Sequence, residues 1–470
     1  MTDTVPLVLV GNSLAVMVAA TRLADEGAEV TLINSSANWG GHFTTITSDG
    51  VRFDPGMVLH EFTSFSPQCS AAELQTYDPA IRNDVGRFCN VVKDYISRYQ
   101  DSKPIHTPSM YVGGEFLDDL LIANSLNTLK ALPFTSAVAS ELSSLGTPSD
   151  LHASRKHKNR DFAAFDFEAV SLANHGTTLH RQMIEPFCRK LLGVSTRNIQ
   201  ALYHRVAWLP LYYPETLLSY IADSPQELAS TIFSYPAGGC VGDLAGGMKN
   251  AILSNQRITV ITDRPVRLTE DNNECFDIAF ENRGSIRAQR LAWGNPLSEL
   301  VRALDLEPAG GYEKCSIALT FIRVPILKLR RSFTVLSVVD PDYAIYRVTN
   351  QSQCAGESQD YVRLVVECNP DYASSIVGNN SDMNGHLLME LVRLGIIADA
   401  SDIKNIETKS MKNALLLPTK ANYSANDNES KLALLAAPGI ARIGPSSGYF
   451  STSFNDQIVQ GLKLASAWKV

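Results

Sequence analysis

The 470-residue sequence lacks three features, and each absence excludes a class of protein. No stretch reaches the roughly 18 consecutive apolar residues of a membrane-spanning helix, so no integral membrane segment is predicted. None of the eight cysteines forms a C-x-x-C pair, so neither a zinc ribbon nor a redox dithiol is predicted, and no metal ligand is singled out. Positive charge is not in excess, because 41 lysines and arginines stand against 49 aspartates and glutamates, a net charge of −8. A nucleic-acid partner is therefore not expected.

A secretory signal is not expected either. No basic segment and no small-residue cleavage site accompany the apolar residues Val5 to Val10, so a cytoplasmic location is expected. The eight cysteines are spread thinly along the chain, which favours buried free thiols over a disulfide framework. Apolar residues make up 45% of the chain, enough for a large core. The length suits about three domains, or one interrupted domain with an insertion.

A strand–turn–helix–strand unit opens the chain. An apolar strand over residues 5–10 precedes Gly11, helix-forming residues fill 17–26, and a second strand covers 29–34. A unit of about 30 residues has the length that a right-handed crossover between parallel strands requires. The free N–H groups at the start of its helix favour a phosphate beside Gly11.

The glycine fingerprint of a dinucleotide site, G-x-G-x-x-G, is only partly present. Gly11 is kept, but Ser13 and Val16 replace the second and third glycines. Asn34 stands where an acid would bind a ribose hydroxyl. Ser13 still admits a diphosphate and offers a hydroxyl, whereas Val16 is expected to hold the helix away from the strand. An α/β crossover with no ligand is the alternative for this segment.

The register of this unit points to a family. Residues 8–45 read VLVGNSLAVMVAATRLADEGAEVTLINSSANWGGHFTT, with a glycine pair, Gly40 and Gly41, followed by His42. This stretch resembles the start of the flavin-dependent amine oxidase clan. The clan includes protoporphyrinogen oxidases, carotenoid desaturases, monoamine oxidases and UDP-galactopyranose mutases. Residues 50–60, GVRFDPGMVLH, resemble its second motif block.

Later segments extend the resemblance in the clan's order. Residues 234–239, SYPAGG, are similar to a Tyr/Phe-Pro-x-Gly-Gly segment, and residues 412–423, KNALLLPTKANY, to a Pro-x-Tyr segment. Val266 falls where a valine backbone contacts the adenine in the clan.

The last block resembles the flavin end of the clan's site. Gly444 ends a strand there, and residues 455–457 open a helix whose N-terminus would face the flavin and stabilise negative charge on it. Pro445 stands where the clan has an acid.

The resemblance implies an α/β (α+β, two-domain) fold, in which a Rossmann-like FAD-binding domain carries an inserted substrate domain of helices and an antiparallel sheet. The β-type stretches within 313–370 suggest four or so strands for that sheet. Residues 1–90, 231–300 and 425–470 would form the FAD-binding domain. Residues 91–230 and 301–424 would form the substrate-binding domain.

The resemblance also implies site residues but identifies no catalytic residue. FAD would be the cofactor, bound by Gly11, Ser13, Leu14, Ala15, Asn34, Gly40, Gly41, His42, Val266, Gly444, Asn455, Asp456 and Gln457. A small-molecule substrate would meet Arg205, Tyr235 and Tyr423.

Three functions are compatible with the sequence. The first is an FAD-dependent oxidoreductase of the amine oxidase, protoporphyrinogen oxidase or desaturase type, in which the flavin supplies the hydride chemistry. The second is a redox-neutral mutase on a sugar nucleotide, whose diphosphate would be held by Arg189, Arg205 or Arg442. The third is a relative that has lost the cofactor and serves as a partner or scaffold subunit. A homo-oligomer and a partner protein both stay open.

Overall fold

The structure is a computed structural model. It describes residues 4–63, 90–119, 130–144, 165–203, 208–211, 217, 231–271, 275–357, 360–378, 382–401, 403, 406–448 and 453–468. The strands of the described residues are β1 Thr4–Val10, β2 Val30–Ile33, β3 Ile46–Ser48, β4 Val51–Phe53, β5 His60–Thr63, β6 Ser102–Pro104, β7 Ser109–Val112, β8 Glu115–Leu117, β9 Thr231–Pro236, β10 Ile258–Ile261, β11 Pro265–Glu270, β12 Phe276–Phe280, β13 Ser285–Trp293, β14 Lys314–Pro325, β15 Val335–Val338, β16 Ile345–Asn350, β17 Tyr361–Cys368, β18 Ile406–Leu416 and β19 Ala441–Arg442.

Helices lie between these strands. The α-helices are α1 Leu14–Asp25, α2 Asn90–Ser97, α3 Thr135–Ser144, α4 Phe167–Leu179, α5 Glu185–Leu192, α6 Gly242–Ser254, α7 Leu297–Ala303, α8 Gln351–Ala355, α9 Pro370–Val377, α10 Met383–Arg393, α11 Lys420–Ala436 and α12 Phe454–Ala467. A π-helical turn, His180–Ile184, joins α4 to α5. Within the part of the chain described, no helix combines the length and apolar character needed to cross a membrane.

The opening crossover builds the first large sheet. β1 pairs in parallel with β2 on one side and with β13 on the other, and β10 extends the sheet beyond β2. β19 adds in parallel to the end of β13, while the β11–β12 hairpin pairs antiparallel with its beginning. The apolar side chains of β1 and β2 are buried, and α1 packs on one face of the sheet beside α12. The predicted Rossmann-like α/β architecture is confirmed.

The second large sheet has seven strands in the order β18-β14-β17-β16-β15-β7-β8. An antiparallel sheet is confirmed over most of its width, but the expectation of four or so strands is too small. The hairpin β7–β8 and the strand β18 come from outside the stretch that carried the prediction, and β7 pairs with β15 in parallel. The boundaries of the two domains stay a prediction.

The remaining strands form two small sheets. β3 pairs with β4, and β9 lies between β5 and β6 in a three-stranded sheet. The described cysteines are free thiols, as predicted, and all but Cys275 are buried: Cys188, Cys240, Cys315, Cys354 and Cys368.

Candidate dinucleotide site at the carboxyl edge of the first sheet

The carboxyl ends of the parallel strands bring glycines from three chain segments side by side. Hydrogen bonds continue past the strand ends, from Gly11 N to Ile33 O at 2.8 Å and from Gly294 N to Val10 O at 2.7 Å. Gly11 has a φ of +124°, a conformation that favours glycine, and a Cβ there would lie 2.8 Å from Asn295 Oδ1. The chain therefore turns sharply above β1, where open α/β sheets bind ligands.

Ser13 occupies the centre of this edge. It is the N-cap of α1, yet its side chain makes no capping hydrogen bond. Among the described residues its buried hydroxyl has no hydrogen-bond partner. Glycines surround it: a Cβ on Gly444 would lie 2.6 Å from Ser13 Oγ, and one on Gly294 3.3 Å from it. An unpartnered buried hydroxyl at a helix N-terminus marks a place suited to a polar ligand.

Val16 packs differently from the expectation. Its side chain is fully buried in the core shared by α1 and the sheet. A Cβ placed on Gly294 would fall only 2.1 Å from Val16 Cγ2. Gly294, at the end of the neighbouring strand, thus provides the space that the missing third glycine would have left in the helix. Val16 Cγ2 therefore packs against the backbone of Gly294, directly after β13.

Asn34 lies where predicted, directly after β2, but much of its side chain is already engaged. Its Oδ1 accepts a hydrogen bond from Ser36 N at 2.9 Å, and its Nδ2 is 3.5 Å from Asn38 O. The backbone oxygen of Asn38 also accepts from Asn12 Nδ2 at 3.1 Å. Asn34 therefore shapes the turn after β2 and retains donor capacity on its NH2 group.

The glycine pair lies against the start of α1. Gly40 N donates to Asn12 O at 2.8 Å, and both Gly40 and Gly41 have positive φ. His42 is exposed, with its ring 4.0 Å from that of Phe43. Phe43 in turn meets the ring of Phe454 edge-on at 5.1 Å, which joins this loop to the beginning of α12.

The three polar residues that were predicted to open the last helix lie in the first turn of α12. Ser453 caps this helix by accepting from Asp456 N at 3.2 Å. Asn455 Nδ2 donates to Glu61 O at 2.6 Å. Gln457 Oε1 accepts from Ala15 N at 3.3 Å, so the N-termini of α1 and α12 are in direct contact.

Gln460, one turn further along α12, was not predicted as a site residue. Its Oε1 accepts from Gly444 N at 2.7 Å and from Ser447 Oγ at 2.8 Å. Among the described residues its buried Nε2 has no partner. A glutamine at this spacing carries no distinctive sequence signal, because helical glutamines are common on solvated faces.

The remaining predicted site residues lie outside this group. Val266 is exposed at an irregularity of β11, where the register shifts between Pro265 and Arg267. Tyr423 packs its ring on Tyr203 at 5.6 Å. Arg205 lies outside the described residues.

Tyr235 is buried and hydrogen-bonded to Asp54. Its hydroxyl donates to Asp54 Oδ2 at 2.5 Å, and burial raises the pKa of Tyr235 well above its ordinary value. Asp54 also accepts from Val241 N at 2.8 Å and Gly242 N at 3.1 Å at the start of α6, and burial raises the pKa of its carboxyl. This contact gives Tyr235 a structural role, and its part in substrate binding stays a prediction.

Two further arginines were candidates for holding a diphosphate. Arg189 is half exposed and forms an ion pair with Glu185 at 2.6 Å within α5, far along the chain from the glycine cluster. Arg442 belongs to β19 beside Trp293, and burial lowers the pKa of its guanidinium. In the described part of the chain, its Nη1 is buried without a hydrogen-bond partner.

Comparison with known proteins shows which solved structures share this fold. Residues 10–71 match the model of the NAD(P)-binding Rossmann-like domain. The structure of reduced UDP-galactopyranose mutase superposes with a TM-score of 0.69 at 15% identity, covering 98% of this chain and 95% of that chain. The putative protoporphyrinogen oxidase from Exiguobacterium sp. 255-15 gives a TM-score of 0.64 at 13% identity, with 100% and 99% covered. This chain has the fold of the flavin-dependent amine oxidase clan.

Other comparisons agree with this assignment of the fold. The structure of cyclohexylamine oxidase from Brevibacterium oxydans IH-35A superposes with a TM-score of 0.60 at 14% identity, covering 99% of this chain and 98% of that chain. No curated protein matches the sequence. Identities this low establish the architecture alone.

The residues at the carboxyl edge fit a dinucleotide at several points. Ser13 offers an unpartnered hydroxyl, α1 offers its N-terminal N–H groups, and the glycines at 11, 40 and 41 allow close approach of the backbone. Two positions fit less well, because neutral Asn34 and Pro445 replace acids that would accept hydrogen bonds from hydroxyl groups.

Proposed function

We propose that this chain binds FAD at the carboxyl edge of the first sheet and acts as an FAD-dependent oxidoreductase on a small organic substrate. The observation that carries the proposal is the convergence at Ser13. The turn after β1, the glycine pair, the end of β19 and the first turn of α12 all meet within contact distance of this residue or its helix.

Each convergent group has a definite task in such a site. The start of α1 and the hydroxyl of Ser13 would hold the diphosphate, and Asn34 would donate to a ribose hydroxyl. Val266, which lies outside the convergent group, would contact the adenine through its backbone. The N-terminus of α12 would stabilise negative charge on the flavin ring, which supplies hydride transfer when it is bound. Gly40, Gly41 and His42 would line the site between the diphosphate and the flavin ring.

Flavin retention tests this proposal directly. Purified protein incubated with FAD and desalted should show the visible absorption bands of bound flavin. In Gly41→Val, a branched side chain at a φ of +62° would strain the loop beside Ser13, and flavin should be lost from a folded chain. Gly114→Val is the matched control, since Gly114 also has positive φ but lies in the β7–β8 turn.

Two results would contradict the proposal. A colourless wild-type protein that takes up no FAD would point to the scaffold alternative. Equal flavin content in Gly41→Val and wild type would show that the glycine pair is only a turn.

A redox-neutral mutase is the second candidate. The structure of reduced UDP-galactopyranose mutase supports it through the shared fold, with a TM-score of 0.69. Turnover of a sugar nucleotide that needs a reductant, with no net oxidation of substrate, would distinguish this activity from that of an oxidase.

A further inference from the structure

The N-terminus of α1 already holds a hydrogen-bond acceptor from within the chain. Ala15 N donates to Gln457 Oε1 at 3.3 Å, and both residues are buried, with Gln457 1% exposed. Ala15 lies in the first turn of the helix, whose N–H groups have no partner inside the helix. These N–H groups are the ones that bind phosphate oxygens at dinucleotide sites. The amide oxygen of Gln457 therefore occupies a position suited to a phosphate oxygen.

Close packing of two helices brings Gln457 to this position. A Cβ on Gly461, one turn further along α12, would lie 2.5 Å from both Ala15 O and Val18 Cβ. Because no side chain separates the helices there, α12 approaches α1 as closely as its backbone allows. Gln457 lies one turn earlier, so its side chain is directed over the end of α1.

The neighbourhood of this contact is polar and closed. Ser13 is only 3% exposed although, within the described residues, its hydroxyl has no partner. The groups around Ser13 are the backbones of Gly41, Gly294 and Gly444, which the surrounding strands and turns hold in place. Gln457 is different, because a glutamine side chain can move by rotation about its own torsions. Its side chain can therefore leave the end of α1 without a change in the path of the backbone.

We propose that Gln457 is an internal competitor of the diphosphate: its amide binds the N-terminus of α1 in the free chain and must swing away when FAD binds. This inference rests on the proposed function, because it assumes that FAD enters this site. A neutral amide is a weaker partner for a helix N-terminus than a phosphate, so the exchange favours the cofactor at sufficient concentration. The competition lowers the apparent affinity for FAD.

Two substitutions at this position give opposite expectations. Gln457→Ala removes the competing acceptor and should tighten the binding of FAD, and of ADP as a probe for the diphosphate end, by about threefold to tenfold. Gln457→Glu places a charged acceptor at the same N–H group and should weaken both by a similar factor. Calorimetric titration measures the affinities, and amide hydrogen exchange should be faster at Ala15 in Gln457→Ala without any ligand.

A control and the opposing results complete the test. Gln100→Ala also removes a glutamine hydrogen bond, from Nε2 to Cys240 O at 2.7 Å, and should leave FAD affinity unchanged. Weaker FAD binding in Gln457→Ala would overturn the inference by making Gln457 a cofactor ligand. Equal affinities in all variants would overturn it while leaving the proposed function intact. Absence of FAD binding from every protein, wild type included, would overturn both.

Discussion

At the scale of single residues, the replacement of a glycine in the fingerprint is compensated elsewhere. A valine at position 16 of α1 would crowd the strand on which the helix packs, but Gly294 at the end of β13 leaves space for its side chain. The sequence showed that the third glycine is missing at position 16, because the fingerprint positions lie close together in the chain. It could not show that a glycine at position 294 leaves the space instead, because only strand pairing brings the two residues together.

This pairing predicts a coupled effect on stability. Val16→Gly should reduce the free energy of unfolding by about 2–4 kcal/mol, from a buried cavity and a glycine in a helix. Gly294→Ala should reduce it by about 1–3 kcal/mol through overpacking. The double variant Val16→Gly/Gly294→Ala should be more stable than the sum of the single effects predicts, as measured by denaturant unfolding. Additive effects would mean that the two side chains do not share one space.

At the scale of elements, helix α6 begins against a carboxylate from a distant segment. Asp54 follows β4 and accepts hydrogen bonds from the backbone N–H groups of Val241 and Gly242. The residues next to α6 supply no side-chain cap, so the helix depends on this remote acceptor. The motif GVRFDPGM marked this region in the sequence, but its task as a cap depends on the packing of β4 against α6.

Substitutions at this cap should separate a structural role of Tyr235 from a substrate role. Asp54→Asn should cost about 2–3 kcal/mol of unfolding free energy, because an amide cannot accept from both N–H groups and the tyrosine. Tyr235→Phe should cost about 1 kcal/mol and leave KM unchanged once a substrate is known. Thermal unfolding and steady-state kinetics measure the two quantities. A raised KM without lost stability would assign Tyr235 to substrate binding.

At the scale of the whole molecule, a buried histidine joins three distant parts of the chain. His60 lies in β5, its Nδ1 is 2.9 Å from Ser102 Oγ, and its ring lies 4.8 Å from that of Phe454 at the start of α12. His60 is fully buried, and burial lowers its pKa from 6.5 to about 3. Protonation is therefore favoured in the unfolded chain, and the stability of the fold depends on a neutral ring.

The sign of the resulting pH dependence follows from linkage. The stabilisation is complete above pH 6.5 and is lost progressively as the pH falls from there toward about 3, by up to about 1.4 kcal/mol per pH unit. His60→Phe should flatten this part of the profile in denaturant unfolding between pH 4 and 7. The exposed His106, replaced by glutamine, serves as the control and should keep the wild-type slope. An unchanged slope in His60→Phe would place the titration on other groups.

The sequence by itself determined the opening crossover, the β-rich second half and the last helix, because local patterns of apolar residues and glycines set these elements. The N-terminal residues of α1 and the glycine pair could be singled out from the same patterns, whereas the first turn of α12 was singled out by the resemblance to the flavin-dependent amine oxidase clan. Only the tertiary structure decided that Ser13 is enclosed by glycines, that Gln457 covers the start of α1 and that Asp54 caps α6. These contacts join residues tens to hundreds of positions apart, and their hydrogen bonds and packing arise from the way the strands and helices are assembled.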